Sequence, residues 1–289
     1  MSSTVITISN MKGGSGKTTI AALLAYGLAS QGYRVLLIDL DPQAHLSSLF
    51  LKIDEISEVT DGSFNFAVGS GYRVREVSLG DNVVIGLLPS GLNYIMTVYT
   101  GQIPSWDSLA LYARIVRESE IIKKYDLIIC DTPPTPFPTT IWGLYAADYI
   151  LIPTNYEELS IQGVKLFFKY IVPDVMLKSK KEVKVLGVVL NNVSKRLSTE
   201  ARDVLERSLE RYVMSLSRTM QEIRGRVYRR ILFDTVIYRD KKALADLIYM
   251  PRRWEIPLSK IIKKSPELQD AVNKLASEMM QRIERFEVL

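Results

Sequence analysis

Residues 11–19 of this 289-residue chain read Met-Lys-Gly-Gly-Ser-Gly-Lys-Thr-Thr, and they follow directly on the β-branched run Val5-Ile6-Thr7-Ile8. A helical pattern over residues 18–31 comes next. A strand, a glycine-rich turn and a helix in immediate succession commit the chain to an α/β layer, with the turn at the carboxyl edge of a parallel sheet. The glycines let successive backbone N–H groups converge on phosphate oxygens, and the helix N-terminus adds its positive end. Lys17 is placed to reach β- and γ-phosphates, and the Thr18 hydroxyl to bind Mg2+. The ordinary phosphate-loop pattern asks for Gly at the position of Met11. This chain instead has a second lysine, Lys12, directly before Gly13 and Gly14.

Further apolar runs at 34–40, 83–88, 127–130, 149–152 and 185–190 are nearly continuous, as expected of strands buried on both faces. Apolar residues from Ala201 to Val227, including Met220 and Ile223, recur every three or four positions and predict one long helix from Ser198 to about Tyr228. Ser198 or Thr199 can cap its start. Residues 233–238 read as a last strand and 267–286 as a closing helix. Without repeats, low-complexity linkers or a clear boundary, the expectation is one α/β domain over residues 1–289. It comprises a mostly parallel twisted sheet flanked by helices on both faces, with a basic, helix-rich portion at about 178–264.

Composition narrows the chemistry. Cys130 is the only cysteine and His45 the only histidine, which excludes internal disulfides and makes a His-based metal site improbable. No apolar run approaches the ~20 residues that span a bilayer, and no signal peptide precedes the first strand, so a cytoplasmic protein is expected. The net charge is +5, but residues 178–264 carry 22 Lys and Arg against 10 Asp and Glu, while residues 1–177 carry 12 against 17. An acidic half joined to a basic surface points to a polyanionic partner.

The second strand ends in Asp39-Leu40-Asp41-Pro42-Gln43, and strand alternation puts Asp39 and Asp41 on one side near the phosphates. The strand over 127–130 leads into Asp131-Thr132-Pro133-Pro134. Phosphoryl transfer needs this set: a cation, a phosphate cradle and a group to orient water.

The string K-G-G-x-G-K-[ST], the D-x-D-P-Q string and the Asp-Thr-Pro-Pro segment together resemble the ParA/MinD family of deviant Walker ATPases, most closely its ParA/Soj-type DNA partition members. The resemblance implies a P-loop NTPase fold and an ATPase working with ATP and Mg2+. Nucleotide would be held by Lys12, Gly13, Gly14, Ser15, Gly16, Lys17, Thr18 and Thr19. It implies catalytic roles for Lys12, Lys17 and Asp41, with Lys12 crossing a dimer interface to the partner's nucleotide and Asp41 positioning water. Thr18, Asp39 and Asp131 would serve Mg2+. Leu87-Leu88-Pro89-Ser90-Gly91, Ile152-Pro153-Thr154-Asn155 and Glu158-Leu159-Ser160-Ile161-Gln162-Gly163 resemble further family segments. Asn191, or Asn192 one residue on, matches an adenine contact. The family's pattern is not matched over 193–232, and Tyr238 stands where relatives usually have proline. Nothing in this sequence precedes the first strand, so the helix-turn-helix region of longer partition ATPases is not expected.

The same resemblance implies an ATP-bridged homodimer, nonspecific duplex DNA, a centromere-binding (ParB-like) partner and a nucleoid-associated location. Candidate phosphate contacts are Arg224, Arg226, Arg229, Arg230, Arg252 and Arg253, with Lys178, Lys180, Lys181, Lys184, Lys241 and Lys242 as further candidates. The alternative is a MinD-like membrane-cycling ATPase, whose terminal helix inserts into anionic lipid. Here residues 275–289 are amphipathic but slightly acidic, so a helix packed on the core is expected, without stable membrane insertion. A nitrogenase-reductase-like electron carrier needs two cysteines per subunit and is excluded. The intact Asp41 disfavours a non-hydrolysing switch.

Overall fold

The computed structural model describes residues 3–91, 94, 100, 109–194, 196–216, 226–240 and 255–286. Its strands are β1 (Thr4–Ile8), β2 (Val35–Asp39), β3 (Arg75–Gly80), β4 (Val83–Leu88), β5 (Leu127–Asp131), β6 (Tyr149–Thr154), β7 (Lys184–Val193) and β8 (Leu232–Tyr238). They form one sheet in the order β3-β4-β2-β5-β1-β6-β7-β8, parallel except for the β3–β4 pair.

Alternate side chains feed two layers, which is why the strand runs are apolar throughout. Ile6, Leu37 and Ile129 pack against the helices Lys17–Ser30 and Pro266–Glu284. Val5, Leu36, Ile38 and Ile128 face the opposite layer, with Phe66, Leu111 and Trp142. Ile150, Ile152, Val188 and Leu190 extend that layer beneath the helices Glu158–Leu166 and Thr199–Ser215. The expected mostly parallel sheet with helices on both faces is therefore observed. β1 lies inside the sheet with later strands on both sides, so the loops after β1, β2, β5, β6 and β7 gather at one carboxyl edge.

Two expectations need correction. The helix begins where predicted, with Ser198 Oγ accepting the Ala201 N–H at 3.2 Å, but it ends at Ser215, and Leu216 is extended. Val227 is not helical. It forms a parallel bridge with Val185, the Tyr228 N–H donating to Val185 O at 2.9 Å, and it is fully buried. An apolar residue satisfies either period, and here the open edge beside β7 took it. Met220, Ile223 and Arg224 lie outside the described residues. The second correction is β3, which was not anticipated. It is an edge strand with Val77 and Leu79 buried and Glu76 and Ser78 exposed, so it shows alternation rather than a continuous apolar run.

The other edge, β8, is closed by side chains. Glu206 accepts the N–H groups of Ile231 and Leu232, Glu278 accepts those of Asp234 and Thr235, and Arg202 donates to the carbonyls of Phe233 and Asp234. Such capping blunts the first half of this edge against edge-to-edge pairing.

Candidate nucleotide site

The loop after β1 is fixed at both ends. Buried Asn10 donates from Nδ2 to Pro153 O at 2.7 Å and accepts the Lys12 N–H at 3.0 Å. Gly14 and Gly16 have φ of 73° and 88°, the left-handed region that a Cβ makes costly. Gly16 is doubly constrained, because a Cβ there would lie 1.7 Å from Asn191 Nδ2. A Cβ at Gly13 or Gly14 would meet nothing within 4 Å, so this backbone faces open space. Ser15 Oγ is buried without a hydrogen-bond partner. An open concavity rimmed by backbone N–H groups, with an unpartnered hydroxyl beside it, fits a phosphate.

Lys17 opens the helix Lys17–Ser30 and is buried. Its Nζ donates to Lys12 O at 3.2 Å. Burial lowers its pKa, opposed by the charges of Asp131 and Asp41. Thr18 Oγ1 donates to Asp131 Oδ2 at 2.7 Å, while Asp131 Oδ1 is buried and unpartnered. Asp39 has both oxygens engaged: Oδ1 accepts the Asp41 N–H at 3.1 Å, and Oδ2 accepts Ser47 N–H and Oγ at 2.8 and 2.7 Å. Ser47 Oγ in turn accepts the Ser90 N–H at 2.9 Å, so the Pro89-Ser90 segment braces the Asp39 corner.

Three carboxylates in this corner leave an excess of buried negative charge. Burial, and then the charge of Asp41, push Asp39 up to about 7. Asp131 is raised as well, by burial and then by Asp39. The chemistry fits a hard divalent cation, with the Thr18 hydroxyl and the orphaned Asp131 Oδ1 as its protein oxygens. Among the described residues no group of three or more His, Cys, Asp or Glu is arranged as a metal site by itself. Such a cation would therefore also lean on phosphate oxygens.

A pH dependence follows. Both folded-state pKa values are raised, so between the ordinary carboxyl range and about pH 7 the native state binds more protons than the unfolded chain. Stability must then fall as pH rises through that window. Thermal melts of nucleotide-free protein are expected to show Tm dropping across it, and Asp131→Asn is expected to flatten the drop. A Tm that stays level in the parent protein would contradict the buried-charge account.

Lys12 sits at the rim. Its Nζ donates to Ser160 Oγ at 2.6 Å and lies 3.6 Å from Glu157. Gly163 passes close beside it, a Cβ there falling 3.7 Å from Lys12 Cβ. Asn155 Nδ2 donates to Gly14 O at 3.3 Å. Across the loop, Asn191 Oδ1 is buried and unpartnered, and Asn192 Oδ1 accepts Arg239 Nε at 2.9 Å. Gly13, Gly14, Lys17, Thr18, Thr19, Asp41, Asn191 and Asn192 all border one cavity of about 550 Å³. Motif reading did not single out Asn10, Ser47 or His45. Asn10 carries the only available signal, an Asn two residues before the amide it accepts from, as in an Asx turn.

The basic candidates lie elsewhere. Arg226, Arg229 and Arg230 flank the Val185–Val227 bridge at the amino end of β7, at the sheet edge opposite the cavity. Arg226 is 3.9 Å from Glu182, and Arg230 is 3.1 Å from Asp234. Lys178 and Lys181 pair with Asp174 and Asp148. Arg224, Arg252, Arg253, Lys241 and Lys242 lie outside the described residues.

Comparison with known proteins agrees with this geometry. Residues 3–185 match the AAA domain family. Chromosome partitioning protein ParA of Myxococcus xanthus is 30% identical over 245 residues, covering 82% of this chain and 75% of that protein. The sporulation initiation inhibitor protein Soj of Bacillus subtilis is 30% identical over 182 residues, 60% of this chain and 70% of that one. The solved structure of pNOB8 ParA bound to nonspecific DNA has the same fold, with a TM-score of 0.81 at 24% identity over 99% of this chain and 100% of that one. A lysine-bearing phosphate loop, paired strand-end aspartates and these relatives together place the chain in the AAA domain family, as a ParA/Soj-type partition ATPase.

Proposed function

We propose that two copies of this chain close on ATP, bind duplex DNA without reading its sequence, and release it on hydrolysis. The observation that carries this reading is the convergence of Lys17, Thr18 and Asp41 on one cavity, with buried Asp131 held behind Thr18 and Lys12 directly before the loop glycines. Lys17 and the loop amides bind the phosphates. Mg2+, held at Thr18 and Asp131 with Asp39 behind them, would neutralise phosphate charge. Asp41 orients the attacking water. Lys12 leaves Ser160 and Glu157 to reach the nucleotide of the second copy, and Asn191 faces the base.

Arg226, Arg229 and Arg230 lie at the edge away from the nucleotide, so ATP acts on DNA affinity by pairing two such edges rather than by touching the DNA. The pNOB8 relative bound to nonspecific DNA supports that class of partner. A centromere-binding protein accelerating hydrolysis would complete the cycle. The membrane-cycling alternative is disfavoured because the last long helix buries Leu268, Val272, Leu275, Ala276 and Met279 in the core, where they are not available to lipid. Among the described residues no helix is long and apolar enough to cross a membrane.

The test is binding to random-sequence duplex DNA with ATP·Mg or ADP at several salt concentrations. Tight binding only with ATP, weakening steeply with salt, is expected. Asp41→Ala should hydrolyse ATP poorly and stay on DNA, and Arg229→Glu with Arg230→Glu should weaken binding at every sequence. Equal binding in ADP, or normal turnover by Asp41→Ala, would overturn the cycle.

A further inference from the structure

Asp41 has a neighbour that the motifs do not explain. Its Oδ1 accepts the Gln43 N–H at 2.9 Å, while Oδ2 lies 3.8 Å from Nδ1 of His45, the only histidine in the chain. That separation is an ion-pair contact, too long for a hydrogen bond. The turn that makes it is a built one. Buried Ala44 takes a left-handed φ of 53°, its N–H closing on Asp41 O at 2.9 Å. On the far side, Ser48 donates from its N–H to Ala44 O and from Oγ to His45 O. A non-glycine in this region is strained, so the conformation persists because its surroundings dictate it.

The His45 side chain is 65% exposed at the cavity rim, open to solvent. Facing it are Asp39 and Asp41 at the end of β2 and Asp131 from β5, with the cation of Lys17 on the same cavity and Arg239 beyond it on Asn192. The contact with Asp41 is the largest cause of a raised imidazole pKa. The charges of Asp41, Asp39 and Asp131 add to it, against partial burial.

We propose that His45 is a positioning residue for Asp41, clamping Oδ2 of the carboxylate when protonated and releasing it to orient water when neutral. This rests on the ATPase reading of Asp41. No bond is made or broken at His45, and its proton goes to solvent. Hydrolysis would therefore accelerate as pH rises through the titration of the imidazole.

Because there is one histidine, the imidazole C–H resonance reports His45 alone in an NMR titration. Its pKa in nucleotide-free protein is expected to fall toward 6.5 in Asp41→Asn, and an unchanged value overturns the clamp. The second arm is the pH profile of hydrolysis at saturating ATP·Mg. The kcat of the parent protein is expected to rise about fivefold or more across the step, and that of His45→Gln by less than about twofold, with the difference in kcat rather than KM. Survival of the step in His45→Gln overturns the proposal while leaving the ATPase reading intact. A parent protein that binds ATP but never turns it over removes that reading itself.

Discussion

Lys17→Ala is expected to weaken ATP binding by about 2–5 kcal/mol, roughly 30-fold to several-thousand-fold, the range for removing one partner of a buried charge pair. Lys17 is held at the start of a helix, almost fully buried, with a single neutral acceptor, Lys12 O, for its ammonium group. Desolvation already lowers its pKa, and Asp131 and Asp41 pull it back. The ammonium group hydrogen-bonds a neutral carbonyl, a partner it can exchange for phosphate oxygens when they arrive. Truncation also strips the Asp39–Asp41–Asp131 corner of its buried counter-charge, so the variant meets added negative charge with nothing to offset it. Lys17→Arg is not expected to rescue binding, because a planar fork does not fit where a point charge sits under the loop. Calorimetric titration with ATP·Mg measures the loss, with far-UV circular dichroism as the folding control. Affinity within a few-fold of the parent protein would mean that the phosphates lie elsewhere.

How far the sequence reached is clear from particular residues. The phosphate loop, Asp39, Asp41 and Asp131 were legible because each is a short string tied to a strand end, and parallel topology brings strand ends together without further information. Ser160 and Gly163 were visible as part of a pattern, but their contact with Lys12 was not, since 148 residues separate Lys12 from Ser160. The β3 edge strand was hidden by its charged alternation, and Val227 by a spacing that satisfies helix and strand alike. His45 was read only for what a lone histidine excludes. Its place over Asp41 depends on the left-handed turn at Ala44, and alanine does not advertise that conformation.

Arg282 shows the same limit, and its replacement is expected to give the largest loss of stability. Leu268, Val272, Leu275 and Met279 mark the buried stripe of the last helix, and Arg282 continues their four-three spacing into the core. It is only 3% exposed. Nη1 donates to Leu186 O at 2.8 Å and Arg230 O at 2.7 Å, and Nη2 to Leu232 O at 2.6 Å, while Glu278 accepts from Nε and Nη2. The guanidinium lies over the rings of Phe233 and Tyr228, 3.9 and 4.5 Å from their centroids. One side chain thus joins β7, β8, the Tyr228–Arg230 turn and the helix. It also closes over Gly187, whose φ of 136° leaves no room for a Cβ against Ile231 O. Arg282→Leu would leave three carbonyls dry and Glu278 without its cation, a loss of about 3–5 kcal/mol. At the usual slope for a chain of this size, Tm should drop by roughly 6–20 °C. Adding Glu278→Gln should recover part of the loss, since the abandoned charge contributes to it. A single variant melting within about 2 °C of the parent protein would mean that the clasp is not needed. On the proposed DNA-binding function the consequence reaches further: Arg229 and Arg230 sit on the turn that Arg282 ties down, so Arg282→Leu should also weaken DNA binding below its melting range while leaving ATP affinity unchanged.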